Sequence, residues 1–251
     1  MIESTGLADP FPILSTIHAD PVLRHHFRLG NVIATVDAVN AMDQLDKQEE
    51  SVKQIAVADR LVLTKTDIAD PAMAARLLAR IRAINPAAPL WRGAEETVPA
   101  EALIGQDGPA AAAAMLALVP PPAHAPHRHD RNRHDANIRA FALVFERPLD
   151  WTGFGLWLTM LLNRHGADVL RVKGILDVAG SDAPVAVHGV QHLVHPPAHM
   201  AAWPDGPRQS RLVFILRGLD PATVERSLRA FLGRAEPVHS LPGGVETSYK
   251  E

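Results

Sequence analysis

The stretch Arg60-Leu61-Val62-Leu63-Thr64-Lys65-Thr66-Asp67 constrains this chain more than any other. An apolar run of strand character passes directly into Thr-Lys-x-Asp, as happens where a loop leaves the carboxyl end of a buried parallel strand. In such a loop the Asp67 carboxylate, which only accepts hydrogen bonds, matches the two adjacent N–H donors on the edge of guanine, a pattern adenine lacks. The Lys65 stem can lie along the flat face of a base while its ammonium stays in water, and Thr64 can tie the loop to its neighbours. The plainer reading is a strand ended by a polar turn, since these residue types are common in loops.

A chain of 251 residues, 47% hydrophobic and 21% charged, can bury a substantial core as one large or two medium domains. No apolar run reaches the roughly 18 residues of a membrane helix, and Glu3 stands where a secretion signal would be basic and apolar. A cytoplasmic protein with no membrane partner is therefore expected. The absence of cysteine excludes disulfides and thiolate metal sites within the chain and fits a reducing compartment. Net charge of −3 with scattered arginines argues against nucleic acid as a partner.

The segment Met1-Ile2-Glu3-Ser4-Thr5-Gly6-Leu7-Ala8-Asp9-Pro10 starts apolar and passes at once to a carboxylate, hydroxyls and a glycine, like the end of a strand. Glu-x-x-Gly after a strand places Glu3 near a magnesium ion or an attacking water, while the Gly6 N–H approaches a γ-phosphate. A loose N-terminus is the plainer alternative. Helical spacing on either side of Pro21 predicts two short helices within residues 12–29. Residues 31–37 predict a buried parallel strand with Asp37 at its carboxyl end, where it can assist a site or, more commonly, cap the next turn. One surface helix is expected over residues 43–58, a second over 71–84 ended by Asn85-Pro86, then a short strand over 89–93 and a closing helix over 110–118. This order is that of a doubly wound α/β half whose first units are absent.

Composition shifts at Pro120-Pro121-Pro122 into a stretch bearing His127, His129 and His134 among charges. These three imidazoles, with Asp130 or Asp135, are the candidate metal ligands, although flexible His spacing fixes no geometry and the stretch as a whole reads as an interdomain tether. Beyond it, residues 138–146 predict a strand, and Asp150 caps a helix with Phe154, Trp157, Leu158, Leu161 and Leu162 on one face. Strands over 168–179, 184–193 and 210–217 and a helix over 221–232 complete a βαβββα order, an α+β layer pair with both helices on one face. His188 and His192 are placed on one face of one strand; four strand residues span about 13 Å, too far for one zinc, so they read as sheet-face residues in a domain or partner contact. Arg171 and Lys173 share a face with Val169 and Ile175 and read as solvated strand-edge charges.

Taken together, Glu3-Ser4-Thr5-Gly6-Leu7-Ala8-Asp9-Pro10, Thr35-Val36-Asp37, Thr64-Lys65-Thr66-Asp67, Asn85-Pro86, Arg171-Val172-Lys173-Gly174-Ile175-Leu176 and Val190-Gln191 resemble the CobW family of P-loop GTPases. The resemblance implies a partial GTPase domain over residues 1–119, a Pro/His-rich linker over 120–136, a CobW C-terminal α+β domain over 137–235 and a loose tail over 236–251. It also implies a GTP- and magnesium-dependent metallochaperone or metal-insertion factor for zinc or for cobalt in cobalamin synthesis, acting on a client metalloprotein. Glu3 and Gly6 fall at the γ-phosphate side, and Thr64, Lys65 and Asp67 at the guanine. The family's phosphate loop ending in Gly-Lys-Ser/Thr and its Cys-x-Cys-Cys metal motif do not occur in this sequence. Weak GTP binding without measurable hydrolysis is therefore expected, with a poorly stable first domain exposing sheet edge. A non-enzymatic adaptor that uses the C-terminal domain to bind partners is the alternative, and a homo-oligomer is allowed by either reading.

Overall fold

The strands β1 (Ile33–Asp37), β2 (Arg60–Thr64) and β3 (Leu90–Arg92) lie parallel in the order β1-β2-β3. The computed structural model describes residues 1–27, 29–105, 137–204 and 207–233, and all structural statements concern these. Parallel neighbours need crossovers, supplied by α3 (Ala41–Lys47) and α4 (Glu49–Val57) before β2 and by α5 (Pro71–Ile84) after it. The single helix expected over 43–58 is two, because extended Gln48 (φ −125°, ψ 108°) ends α3 and begins α4.

Ahead of β1, α1 (Pro10–Ala19) and α2 (Pro21–His26) each begin on a proline behind an aspartate that accepts from the first free N–H groups. Neither contains a buried residue. Residues 1–5 are irregular and exposed, so the strand end expected around Glu3 is not formed. A strand exists through its ladder, and this segment pairs with none of the described strands. Its carbonyls instead meet α4: the Gln54 amide donates to Thr5, Gly6 and Ala8 at 3.4, 3.2 and 2.8 Å. The short helix α6 (Ala100–Ile104) returns to the sheet, where Asn31 donates to the carbonyls of Leu103 and Gly105 and Arg60 to that of Ala102.

The second sheet is antiparallel and contains β4 (Ile138–Phe145), β5 (Val169–Leu176), β6 (Val185–Val190), β7 (Leu193–Val194), β8 (Ala198–His199) and β9 (Ser210–Arg217). Its order is β4-β9-β5-β6-β7, with β8 on β6. Helices α7 (Trp151–His165) and α8 (Pro221–Leu232) cover one face, burying Phe154, Trp157, Leu158, Val224 and Leu228 against Phe214. This matches the expected α+β layer pair, with two-residue strands β7 and β8 added.

Two details correct the sequence reading. β6 stops at Val190 because Gln191 takes a left-handed backbone (φ 50°), so His188 and His192 do not share a strand. A bulge between Val169 and Arg171 gives Leu170 no partner on β9, so Val169 packs with the helices while Ile175 faces the other way.

That other face lies on the first sheet's helices. Leu170 and Ile215 join Leu45, Ile55, Leu77 and Ile81 in one apolar cluster, so the two sheets share a core across α4 and α5. Asn85 locks this layer. It is fully buried, donates its amide to the carbonyls of Ile55, Ala56 and Ala58, and accepts from the Ala88 N–H. The candidate ligands His127, His129 and His134, the linker 120–136, the helix expected over 110–118 and the tail 236–251 lie outside the described residues.

Asn85→Ala strips partners from several buried backbone groups, each costing about 1–3 kcal/mol when left unpaired. We expect a total loss of about 3 kcal/mol and a fall of roughly 6–12 °C in Tm by calorimetry. A loss below about 1 kcal/mol would mean that water replaces the amide.

Candidate functional site

The carboxyl ends of β1 and β2 meet at one loop cluster. The Thr64 hydroxyl donates to the Val36 carbonyl at 3.2 Å, and the Ala38 N–H donates to the Thr64 carbonyl at 2.9 Å. Lys65 follows in a left-handed conformation (φ 60°), uncommon for a residue with a Cβ, and its ammonium sits 2.7 Å from Asp37 Oδ2. Asp37 also accepts from the backbone N–H groups of Val39 and Asn40 and from the Asn40 amide. Partial burial alone would raise the Asp37 pKa, but the hydrogen bonds from Lys65, Asn40 and the turn outweigh it and hold the carboxyl down at about 2. Asp67 is exposed, and the Thr66 hydroxyl is buried without a hydrogen-bond partner.

The structure thus brings Thr64, Lys65 and Asp67 into one loop and adds Asp37 to them. Asp37 does cap its turn, as the commoner reading held, and its second oxygen carries the Lys65 contact. Glu3 and Gly6 lie on the exposed segment before α1, and the contacts that hold that segment run to α4. Gly6 has open space where a Cβ would stand, so this conformation does not itself require glycine.

At the opposite end of β2 lies a buried polar seam between the sheets. Asp59, 4% exposed, accepts from the Val32 N–H at 2.9 Å and pairs with the Arg171 guanidinium, which also donates to the Val57 carbonyl. Arg171 and Lys173 are 3% and 6% exposed, which overturns their reading as solvated edge charges. β5 is an interior strand, and this face of it lies on the end of α4. His188 Nε2 stands 3.6 Å from Asp59 Oδ1, and the His188 and His195 rings are 4.9 Å apart. His188 therefore makes the domain contact foreseen for it. Asp59, His188, His195 and Asn31, with Leu14 and Leu193, line a cavity of about 150 Å³.

Burial would raise the Asp59 pKa, but the paired Arg171 guanidinium, with the Val32 N–H, holds it well below the carboxylate range. Burial first, and Arg171 second, lower His188 to about 3 and Lys173 to about 7, so the imidazole is neutral at physiological pH. Among the described residues no group of three or more His, Asp or Glu side chains is arranged to hold a metal ion. His192 packs instead beside Phe11 and over Gly166, where an added Cβ would fall 2.0 Å from its ring. Sequence reasoning missed Asp59 and Gln54. The charged pair Asp59-Arg60 directly ahead of an apolar strand was the available signal for the first; Gln54 carries none.

Lys173 has an unfolded pKa near 10.5 and a folded one of about 7, so between those values the unfolded chain binds the extra proton. Stability should therefore rise as pH increases from about 7 toward 10.5. Urea melts across this window should show the rise, and Lys173→Met should remove it; identical slopes in both proteins would refute the assignment. Asp59→Asn leaves the Arg171 charge buried without its counter-ion and should cost about 3–5 kcal/mol in the same melts.

Residues 1–92 match the family model described as the CobW/HypB/UreG nucleotide-binding domain, and residues 138–232 that of the cobalamin synthesis protein cobW C-terminal domain. The zinc chaperone YjiA of Escherichia coli is 30% identical over 215 residues, covering 86% of this chain and 65% of that protein. The zinc chaperone CobW of Pseudomonas aeruginosa is 29% identical over 256 residues, covering 92% and 66%. The crystal structure of Zn(II)-bound YjiA GTPase from E. coli superposes with a TM-score of 0.71 at 27% identity, over 90% of this chain and 69% of that one. The chain therefore spans about two thirds of the length of the curated relatives it matches. With the nucleotide-binding match over the parallel sheet and the C-terminal match over the antiparallel one, this chain belongs to the CobW family.

Proposed function

We propose that this chain acts in GTP-dependent metallochaperone work, with zinc as the cargo metal, cobalt as the second candidate, and a client metalloprotein as recipient. The relatives named as zinc chaperones support the metal class, and the nucleotide-binding match supports the guanine nucleotide. In this reading residues 1–119 form the nucleotide domain, 120–136 a tether and 137–235 the C-terminal domain. Asp67 accepts from the guanine edge, the Lys65 stem covers one face of the base, and Thr64 fixes the loop to β1. The observation that carries it is the placement of left-handed Lys65 at the carboxyl ends of two parallel strands, where ligands of open α/β sheets bind.

The residues fit the base and not the magnesium triphosphate. Exposed Asp67 and the partnerless Thr66 hydroxyl offer polar groups at the base end. No Gly-Lys-Ser or Gly-Lys-Thr occurs in the sequence to cradle phosphates and hold the ion. Glu3 and Gly6 would face the γ-phosphate. Without cysteine, the cargo metal would meet imidazole and carboxylate ligands in this chain, and His127, His129 and His134 are the set proposed for that transient role.

Titration of the purified chain with fluorescent guanosine, adenosine and xanthosine diphosphates tests the base reading. Guanine should be preferred, and Asp67→Ala should weaken it by about 1.5–3 kcal/mol, roughly 10- to 150-fold. Asp67→Asn should move the preference to xanthine, whose C2 carbonyl accepts from the new amide. GTP turnover should stay at background. Equal affinity for guanosine and adenosine diphosphates would overturn the reading, and failure to bind any nucleotide would favour the adaptor.

A further inference from the structure

We infer that Asp37 is a positioning residue for base recognition: its carboxylate sets the Lys65 side chain at the mouth of the loop and so contributes to guanine-nucleotide affinity. The inference rests on the nucleotide reading proposed above.

Asp37 ends β1, directly beside Thr64 in the parallel register. Both its oxygens are engaged. Oδ1 accepts from the Val39 and Asn40 N–H groups at 2.8 and 3.3 Å, and Oδ2 accepts from the Asn40 amide at 2.9 Å and the Lys65 ammonium at 2.7 Å. The β1–α3 turn therefore fixes the carboxylate, and the carboxylate in turn fixes the lysine rather than following it.

Lysine is the side chain that most needs such help. Ordering it costs rotamer entropy, a cost otherwise met when the base arrives. Here the backbone aims the stem through its left-handed conformation, and Asp37 holds the far end, while 52% of the side-chain surface stays open. A stem tethered at both ends with a free flank is a preformed platform for a planar ring. The ion pair itself is solvent-exposed and adds little stability. Its effect should thus appear in binding rather than in folding.

A turn cap and a lysine anchor can be separated by chemistry. Asp37→Asn keeps an oxygen for the Val39 and Asn40 N–H groups and removes the charge that holds Lys65. We expect this variant to melt within a few degrees of the parent and to bind guanosine diphosphate roughly two- to fivefold more weakly. In a Lys65→Ala background the same change should cost nothing further, because the anchored group is gone. Should Asp37→Asn lower Tm substantially, Asp37→Ser, which also caps turns, repeats the comparison. Independently of any nucleotide, NMR relaxation of the Lys65 ε-methylene should show a restricted side chain that becomes mobile in Asp37→Asn. Full additivity of Asp37→Asn and Lys65→Ala, or an ε-methylene equally mobile with and without Asp37, would overturn the inference. A parent chain with no guanine preference but an ordered Lys65 released by Asp37→Asn would instead sink the nucleotide reading and the affinity role, leaving the anchor.

Discussion

The arrangement of the two sheets depends on the buried pairing of Arg171 with Asp59. One guanidinium from β5 satisfies a carboxylate and the Val57 carbonyl, and the same carboxylate caps the Val32 N–H ahead of β1. The end of α4 and the starts of β1 and β2 are thereby tied to the second sheet at a single point. A charge enclosed this deeply is tolerated only with its partner in place, so the pair fixes register as much as it adds energy. The shared apolar cluster of Leu170 and Ile215 with the helices of the first sheet supplies the non-directional attraction around it.

Helix α4 is consequently held from several sides. At its first turn Glu49 accepts from Arg217 of β9 at 2.6 Å, and at its far end Arg171 takes the Val57 carbonyl. Between these points Gln54 collects the carbonyls of the segment that carries Glu3 and Gly6, and Lys53 reaches Asp9 at the head of α1. One short helix thus touches both the segment implied to face a γ-phosphate and the second sheet. β2 plays the complementary part. Asp59 precedes it, the loop of Lys65 to Asp67 follows it, and five strand residues set the two about 16 Å apart.

The helices over 71–84 and 221–232 were legible in advance by their apolar spacing, and local chemistry sets where the helices begin. Asp9-Pro10, Asp20-Pro21, Asp70-Pro71 and Asp220-Pro221 each start a helix, because the carboxylate takes the free N–H groups and proline needs none. The loop after β2 could be read because Thr64, Lys65 and Asp67 are contiguous, and contiguity guarantees proximity. Where proximity came from folding the reading failed or stayed open: Asp37 lies 28 residues from Lys65, and Asp59 lies 112 from Arg171. Gln48 splitting a helix and Leu170 bulging from β5 were also invisible, since each is a backbone choice made against a neighbour.

The sequence by itself therefore determined the family, the two α/β layers, and the residues of the loop after β2, all carried by short-range order and hydrophobic period. Tertiary structure alone decided which charges are buried. Arg171 and Lys173 carry the same alternating pattern as a solvated strand edge, and only the packing of β5 between β9 and β6 over α4 takes them out of water. It likewise joined Asp37 to Lys65. The physical reason is common to both: charge and exposure are properties of a place in the fold, and a place exists only once distant segments have met.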